Sequence, residues 1–581
     1  MRTAVPLCRL LLCGGLLLSA SQSSLADSDG TAAGAGRGDG RGEAACSEFE
    51  HAAAVRAGEL EEIPAGAAAD LDAAARIGRV RVVRQQIFDP NDPAENNPLY
   101  MLANRLHVLT RESAVREQLR IAEGDSYSGS MLREAERILR AFPWLYDVRV
   151  VPTRRCGEQV DVAVVTRDVW SIVPTGDVNR SGGENSFAFG LKDQNLFGRG
   201  ETLGVFYQDG VDRDGVAAFY TDPAVSGGLW SLSLFASDNS DGGRLSVNAR
   251  RPFRSLDDLR SHGFSAARDE RIQPLFATGF RVAEFVQRSV SAQAYLARST
   301  GRVDGHVRRW TLGLAHFDNE FGRAPGLLQP AELPEDRQAT YPFVSLELLE
   351  DEWEAAANLD LIGRPEDVYL GRRITASVGV SPDAPGADDG RVLFTASWAN
   401  ALRVTPAWLL SMSFGANGSV TTSDGEAENL IATVATSSYY RQSESFAAFA
   451  SADYSWTRGL TRDRQLLLGG DSGLRGYPQR FQEGDRRARL RLEQRWFSAA
   501  HPFRLFRFGA AAFADVGRSW FPGDPDDDES GWLANVGIGL RFMPTRFPSD
   551  SIVHLDLAVP VRGGGRDVED LQLSLTLRET F

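Results

Sequence analysis

Few residues in this chain are spaced for bond-making chemistry. Its seven histidines are scattered, with neither HExxH nor any paired spacing, so no zinc site is expected. The acidic run from Asp524 to Glu529 places Asp at alternating positions, but it lacks the glycine that turns a calcium-binding loop and reads as a solvated surface loop. A GxSxG nucleophile turn is absent. No catalytic residue, metal or cofactor is assigned, and the chain is not expected to be an enzyme. What remains is structural chemistry. One element is the segment LLLGGDSGLRGYPQRFQEGD, Leu466 to Asp485, with an arginine between glycine-rich turns. The other is the pair Cys46 and Cys156.

The start of the chain sets the compartment. Arg2 and Arg9 flank an apolar run from Leu10 to Leu18, and small residues lead to Ala26, which predicts an export signal cleaved after residue 26. Bulky Leu12 before Cys13 fits a lipid-attachment site poorly. Cys8 and Cys13 leave with the leader. In an oxidising compartment the remaining Cys46 and Cys156 are either a disulfide or two unpaired thiols. A net charge of -15 argues against a nucleic-acid partner, because binding phosphate takes a basic surface. The apolar run is shorter than the roughly 20 residues of a membrane helix, and no other stretch reaches that length. Strands must therefore do any spanning, and ordinary hydrophobicity does not oppose this, since barrel strands alternate apolar with polar residues.

Residues 27–76 read as a disordered Gly-rich linker, GAGRGDGRG included, followed by a short helix from Glu43 to Leu60. Residues 77–168 read as strand, helix, helix, strand, strand. IGRVRVVRQQIF is the first strand, and a Pro/Asn-rich insertion runs from Asp89 to Pro98. ESAVREQL is the first helix, with Thr110 as its cap. The second helix is capped by Ser128 or Ser130 and stopped by Pro143, and YDVRVVP and VDVAVV form a closing hairpin. From residue 169 to 581 runs such as ETLGVFYQDG, WSLSLFASD and RWTLGLAHF alternate with Gly/Asp/Asn/Pro connections. At about 26 residues per strand and connection this predicts an antiparallel barrel of about 16 strands. The final run QLSLTLRETF spaces Leu573, Leu575 and Leu577 evenly and ends on Phe581.

Several of these segments resemble one superfamily. LRIAEGDSYSGSMLREAERILRAFPWLYDVRVVP, Leu119 to Pro152, resembles the core of a POTRA domain, a periplasmic α+β module that offers sheet edges to extended polypeptide. Leu474, Arg475, Gly476 and Tyr477 resemble the (V/L)RG(F/Y) tip of the inward-folded extracellular loop of BamA/TamA-type outer-membrane assembly proteins and two-partner secretion transporters. Phe513, Asp515 and Gly517 resemble its F-x-D-x-G partner on the barrel wall. GLKDQNLFGRGETL, Gly190 to Leu203, resembles the superfamily's first barrel hairpin, and the terminal Phe581 resembles the signal that marks outer-membrane barrels for assembly. Gly470 to Gly473, GDSG, resembles the nucleophile segment of trypsin-like proteases, but no matching histidine segment or disulfide framework accompanies it.

The resemblance implies that Arg475 and Asp515 meet in the lumen. Fixing a loop costs about 1 to 2 kcal/mol per residue, and a bidentate Arg-carboxylate pair returns roughly 1.5 to 3 kcal/mol where partly desolvated. Lysine lacks the planar fork, Gly476 allows close backbone approach, and Tyr477 packs with a polar tip. The implied function is insertion or translocation of client polypeptides at the bacterial outer membrane, with lipid, clients and periplasmic accessory proteins or chaperones as partners. Clients would reach a sheet edge at Val148 to Val151 or Val160 to Val165. They would then pass a seam between a first barrel strand near Phe187 to Phe197 and a last one at Gln572 to Phe581. One departure is visible: the superfamily's insertases and transporters carry five, three or two POTRA domains, and this sequence shows one. The alternatives are a transporter dedicated to one partner and a passive pore or structural surface protein.

Overall fold

The computed structural model describes residues 46–581 apart from 327, 384–386, 524–530, 548–551, 563–567 and 579–581, with backbone alone at 174–179 and 578. The expected leader, the Gly-rich stretch, the acidic run and Phe581 lie outside the described residues.

Four strands, β1 (Cys46–Glu48), β2 (Arg76–Gln85), β3 (Leu145–Cys156) and β4 (Gln159–Asp168), form a sheet in the order β1-β3-β4-β2, with β2 parallel to β4. Helices α1 (Ala52–Ala57), α3 (Glu112–Gln118) and α4 (Gly129–Arg140) pack around it, and α2 (Pro98–Leu106) lies against Ile87 and Phe88 beyond the end of β2. On α4, Leu132, Ala135 and Leu139 recur at i, i+3 and i+7, so they share a stripe that buries against Val148, Val150, Val160, Val162 and Val164. The opposite sheet face holds Val151, Ala163 and Val165 under Val55, Leu60 and Ile63. Burial on both faces explains why β3 and β4 read as near-continuous valine runs rather than clean alternation.

Two local expectations need correction here. The helix expected over Glu43 to Leu60 is instead a strand, Cys46–Glu48, followed by a short helix, Ala52–Ala57. Pairing of Cys46–Glu48 with Arg154–Cys156 draws the start of this segment into the sheet, and Gly58 at φ 76° ends the helix. The Pro/Asn-rich insertion leads into a helix of its own, α2. Asn97 caps it by accepting from the Leu99 and Tyr100 amides, and Pro98 sits at its first position.

The rest of the chain is a closed antiparallel barrel of 20 strands, not about 16. The estimate ran low because many hairpins turn in two residues, as at Gly182–Gly183, Ser240–Asp241 and Thr278–Gly279, so the repeat is shorter than assumed. The barrel's first strand is Ile172–Ser181 rather than one near Phe187 to Phe197, and Gly190 to Leu203 spans the turn between the second and third strands. Ile172–Ser181 escaped notice because Pro174 and Gly176 weaken a strand pattern. Outward positions are apolar and bare, as at Phe189, Leu191, Ile538 and Leu540, while the alternate positions face a polar interior. That alternation is what lets a strand cross lipid with every backbone group paired. Among the described residues no helix is long and apolar enough to cross a membrane.

One end of the barrel, here the near end, carries the α+β region. Arg120 pairs with Asp258 at 2.6 Å, and Glu134 accepts from the Leu256 amide at 2.7 Å while pairing with Arg302. Arg140 holds Asp367 through two contacts of 2.7 and 2.6 Å. Between the barrel strands Arg337–Glu350 and Arg373–Ser381, the near-end connection forms a hairpin of its own, Trp353–Ala357 with Pro365–Tyr369, whose strands pair with each other and not with the barrel sheet.

Candidate functional site in the barrel lumen

At the far end, the connection from the strand Phe446–Arg458 to the strand Arg486–Phe497 folds back inside the barrel. Leu466–Leu468 pairs with Gln482–Gly484, so the loop enters and leaves as a ribbon whose tip is Leu474 to Tyr477. Leu474 and Tyr477 are buried with Leu468 and Leu533. The Tyr477 hydroxyl lies 2.8 Å from the Ala534 carbonyl and 2.5 Å from that of Arg562, and accepts from the Ala534 amide. A Cβ on Gly476 would lie 2.7 Å from the Asn535 Cβ, so only glycine lets the tip approach the wall this closely.

Arg475 is 1 % exposed. Its Nε and Nη2 donate to the two oxygens of Asp515 at 2.9 and 2.7 Å, and Nη1 donates to Glu493 at 3.0 Å and faces Asp556 at 3.5 Å. The guanidinium lies 3.4 Å from the ring centroid of Phe513. Gly517 leaves room for Leu468 and Leu474, whose methyls would touch any Cβ placed there. Each residue of the wall motif therefore has a separate job. Phe513 covers the guanidinium face, Asp515 takes the fork, and Gly517 accommodates the loop's leucines.

Three contributors were not among the sequence candidates. Glu493 is shared with Arg495 at 3.0 Å, Asp556 with Arg541 at 2.5 Å, and Asn535 donates to Asp515 at 2.9 Å. The result is a cluster in which buried guanidiniums and carboxylates face one another, the condition under which burying charge is tolerable. The signal for Glu493 and Asp556 was present in RLRLEQRWF and IVHLDLAVPV, where polar and charged residues alternate with outward apolar ones, while Asn535 left no such mark. Alternation places them inside but does not say which of many inward charges meet the loop.

The same loop reaches the first hairpin of the barrel. Gln479 donates to the Ser181 carbonyl at 2.9 Å, Gly470 packs on Gly182, and Arg480 pairs with Asp212 at 2.7 Å through Nη1. It thus touches both sides of the seam, where the last strand Gln572–Arg578 meets the first. That seam pairs Leu575 with Arg180. The adjoining pair of strands is in register from Ile552 with Arg578 to Ala558 with Gln572.

The near end has a second inward element. The tip of the Trp353–Tyr369 hairpin packs Leu361 and Ile362 against Phe497, Ala511, Met543 and Ile552 of the wall. Tyr439 donates to Asp360 at 3.0 Å, and Arg495 donates to the Leu359 carbonyl at 2.6 Å. Arg495 therefore touches the hairpin with one nitrogen and Glu493, the partner of Arg475, with another. Within the hairpin, Glu366 accepts from the Leu359 and Asp360 amides at 2.9 Å each. Burial pushes its pKa up to about 7 against the opposing pull of those amides.

The fold has similar solved structures. No family model matches the chain, and no curated protein does. The chain is similar to BamA from Haemophilus ducreyi lacking POTRA domains 1-3, at 15% identity and a TM-score of 0.36 over 86% of this chain and 85% of that one. It is similar to CdiB from Escherichia coli at 14% identity and a TM-score of 0.44, over 87% and 76%. OccK11 (OpdR) from Pseudomonas aeruginosa matches at 13% identity and a TM-score of 0.32, over 70% and 94%. BamA and CdiB are of the superfamily that the loop motif resembles. These likenesses concern the fold alone.

Cys46 and Cys156 are joined in a disulfide. The bond fastens β1 onto the end of β3, and this bears on the edges expected to meet client polypeptide. Val160 to Val165 lie in the central strand β4 and are no edge. Val148 to Val151 are fully buried, the Val150 amide donates to Glu136, and Arg149 reaches the Ile63 carbonyl, so the N-terminal segment covers that side. The sequence could not show this because the covering residues come from outside the strand-helix-helix-strand-strand unit.

Proposed function

We propose that this protein moves polypeptide into or across the bacterial outer membrane, with the α+β region acting as a periplasmic POTRA-like receiver. The observation that carries this reading is the inward loop locked by Arg475 to Asp515 and Glu493 beside a seam that pairs Leu575 with Arg180. A barrel whose only task was passive diffusion has no need of a locked loop at its seam. A client strand would find a template there, because backbone hydrogen bonds between two strands are replaceable by its own. On the receiver, one candidate edge is the outer side of β2 at Arg81 to Gln85, since the start of β2 pairs with Asp125 to Tyr127.

Depletion of the protein followed by comparison of the outer-membrane and secreted proteomes tests the proposal. Loss of many barrel proteins is the outcome expected of a general insertase, and loss of one exoprotein that of a dedicated transporter. Unchanged proteomes, with altered solute uptake only, would overturn both in favour of a pore.

A further inference from the structure

We infer that α2, Pro98–Leu106, is a membrane-interface helix that sinks its leucine face into the periplasmic leaflet beside the barrel seam. Leu99, Leu102 and Leu106 fall at i, i+3 and i+7 on one stripe, and they are 68, 50 and 64 % exposed. The stripe is not the product of a loosely held helix. On its opposite side the Asn104 side chain accepts from the Phe88 amide at 3.1 Å and donates to the Phe88 carbonyl at 2.8 Å, and Tyr100 stacks on Phe88 at 4.1 Å. Rotation of α2 is thereby fixed, with its apolar face turned away from protein.

The occupant is argued from where the helix is fastened. At its start the Tyr100 hydroxyl donates to the Phe503 carbonyl at 2.5 Å, in the near-end turn between the strands Arg486–Phe497 and Phe506–Trp520. Just beyond its end, a Cβ on Gly198 would lie 3.3 Å from a Val108 methyl, in the near-end turn between the second and third barrel strands. Counted round the barrel, the seam lies between those two turns. Both turns carry a bare aromatic, Phe503 at 76 % and Phe197 at 63 % exposure.

This is the level of the lipid interface. Trp230, Trp310, Trp408 and Trp496 stand outward and exposed at or beside the near ends of their strands, as in the aromatic girdle of a membrane barrel. Outward Leu203 is also exposed and lies three residues from Gly200, so at about 3.4 Å per residue the apolar band comes within roughly 10 Å of the turn. The leucine stripe with its two flanking phenylalanines therefore continues the lipid-facing surface of the barrel. An amphipathic helix at this height lies in the plane of the interface with its apolar face among the upper acyl chains. The inference depends on the membrane barrel and not on what the barrel transports.

The test uses the full-length protein reconstituted in phosphatidylethanolamine/phosphatidylglycerol vesicles, with an environment-sensitive fluorophore on Leu102→Cys. Ala73→Cys, an exposed position in the α+β region away from α2, serves as reference. Nitroxide placed high on the lipid acyl chain should quench the label at 102 at least about twofold more than the label at 73. Aqueous iodide should show the reverse order. A label at 102 open to iodide and untouched by lipid nitroxide would overturn the inference. So would a label shielded from both quenchers, since that places protein over the stripe. In the triple variant Leu99→Glu, Leu102→Glu, Leu106→Glu, a label on Val108→Cys should lose its lipid quenching while the barrel keeps its heat-modifiable gel mobility. Undiminished quenching in that variant would also count against it.

Discussion

Arg475 carries three kinds of contact at once, a forked bond to Asp515, a second carboxylate in Glu493, and the face of Phe513, and lysine could reproduce only the charge. Arg475→Ala strands three buried carboxylates with less cation to face. Breaking a buried ion pair by removing one partner typically costs about 3 to 5 kcal/mol. The strands keep their own hydrogen bonds, so the loss should fall on the loop: client transport should drop well below the level of folded barrel in the membrane, and Arg475→Lys should rescue little. A double-mutant cycle with Asp515→Ala should give a coupling of about 1 to 3 kcal/mol, read from activity normalised to folded protein; additive single-mutant effects would dissociate the pair from the function. Gly476→Ala is a subtler probe. Its new methyl would press on Asn535, which itself holds Asp515, so the loop should be displaced without loss of any charge.

Among the elements, the loop and the Trp353–Tyr369 hairpin approach each other from opposite ends of the lumen and are bridged by the pair Glu493 and Arg495, the first bonded to the loop and the second to the hairpin. The hairpin's own hold is pH-dependent through Glu366. Its carboxyl sits in the tip with a pKa raised from 4.5 to about 7, so the folded state keeps a proton that the unfolded hairpin would release. Stability is full below pH 4.5, falls by up to about 1.4 kcal/mol per pH unit as pH rises towards 7, and is level above that. Hydrogen exchange at the Leu359 and Asp360 amides, corrected for intrinsic rate, should therefore be slower at pH 5 than at pH 7.5. Glu366→Gln removes the titrating group and leaves an acceptor for only one of the two amides, so it should flatten the dependence at a lower overall protection. The disulfide acts on a different element. Opening the loop of sequence separation 110 in Cys46→Ser/Cys156→Ser should cost the α+β region about 2 to 5 kcal/mol in denaturant titration, with barrel heat-modifiability unchanged.

For the whole molecule, the α+β region and the barrel are joined by charged contacts to the near-end turns and by a small apolar cluster in which Leu505 packs on Ile87, Phe88 and Tyr100. The charged contacts include Arg120 with Asp258, Glu134 with Arg302, Arg140 with Asp367 and the buried pair Arg546 with Glu95. Burial raises the Glu134 pKa while Arg302 and the Leu256 amide oppose the rise, which is the behaviour of a carboxylate held at an interface. Deleting residues 46–168 should therefore leave a barrel that still folds and migrates as a compact species on an unheated gel, because closure uses only the barrel's own strands. Client output should fall to the level of the depleted strain. Full output from the truncated protein would reduce the region to a spacer.

Patterns of side-chain type determined the class of this protein. Period-two alternation and the valine-rich hairpin after α4 point to a many-stranded β protein preceded by an α+β unit, because strand and helix periods are local properties of the chain, and the export signal and terminal Phe581 turned that reading towards a membrane barrel. The five strands after the loop were legible too, since each is a long uninterrupted alternation. Strand number was not, because turns of two residues leave little mark between alternating runs, and Pro174 and Gly176 blurred the first strand. Arg475 and Asp515 could be named from their motifs. Glu493, Asn535 and Asp556 could not, since alternation puts many charges inside the barrel and only the closed cylinder brings strands distant in sequence to one point. The covered edge of β3 was likewise a tertiary decision: residues 46–63 have little pattern of their own and take their structure from the sheet they cover. The bare face of α2 was decided by where the helix is fastened, to turns of the barrel roughly 400 residues apart on one side and 90 on the other.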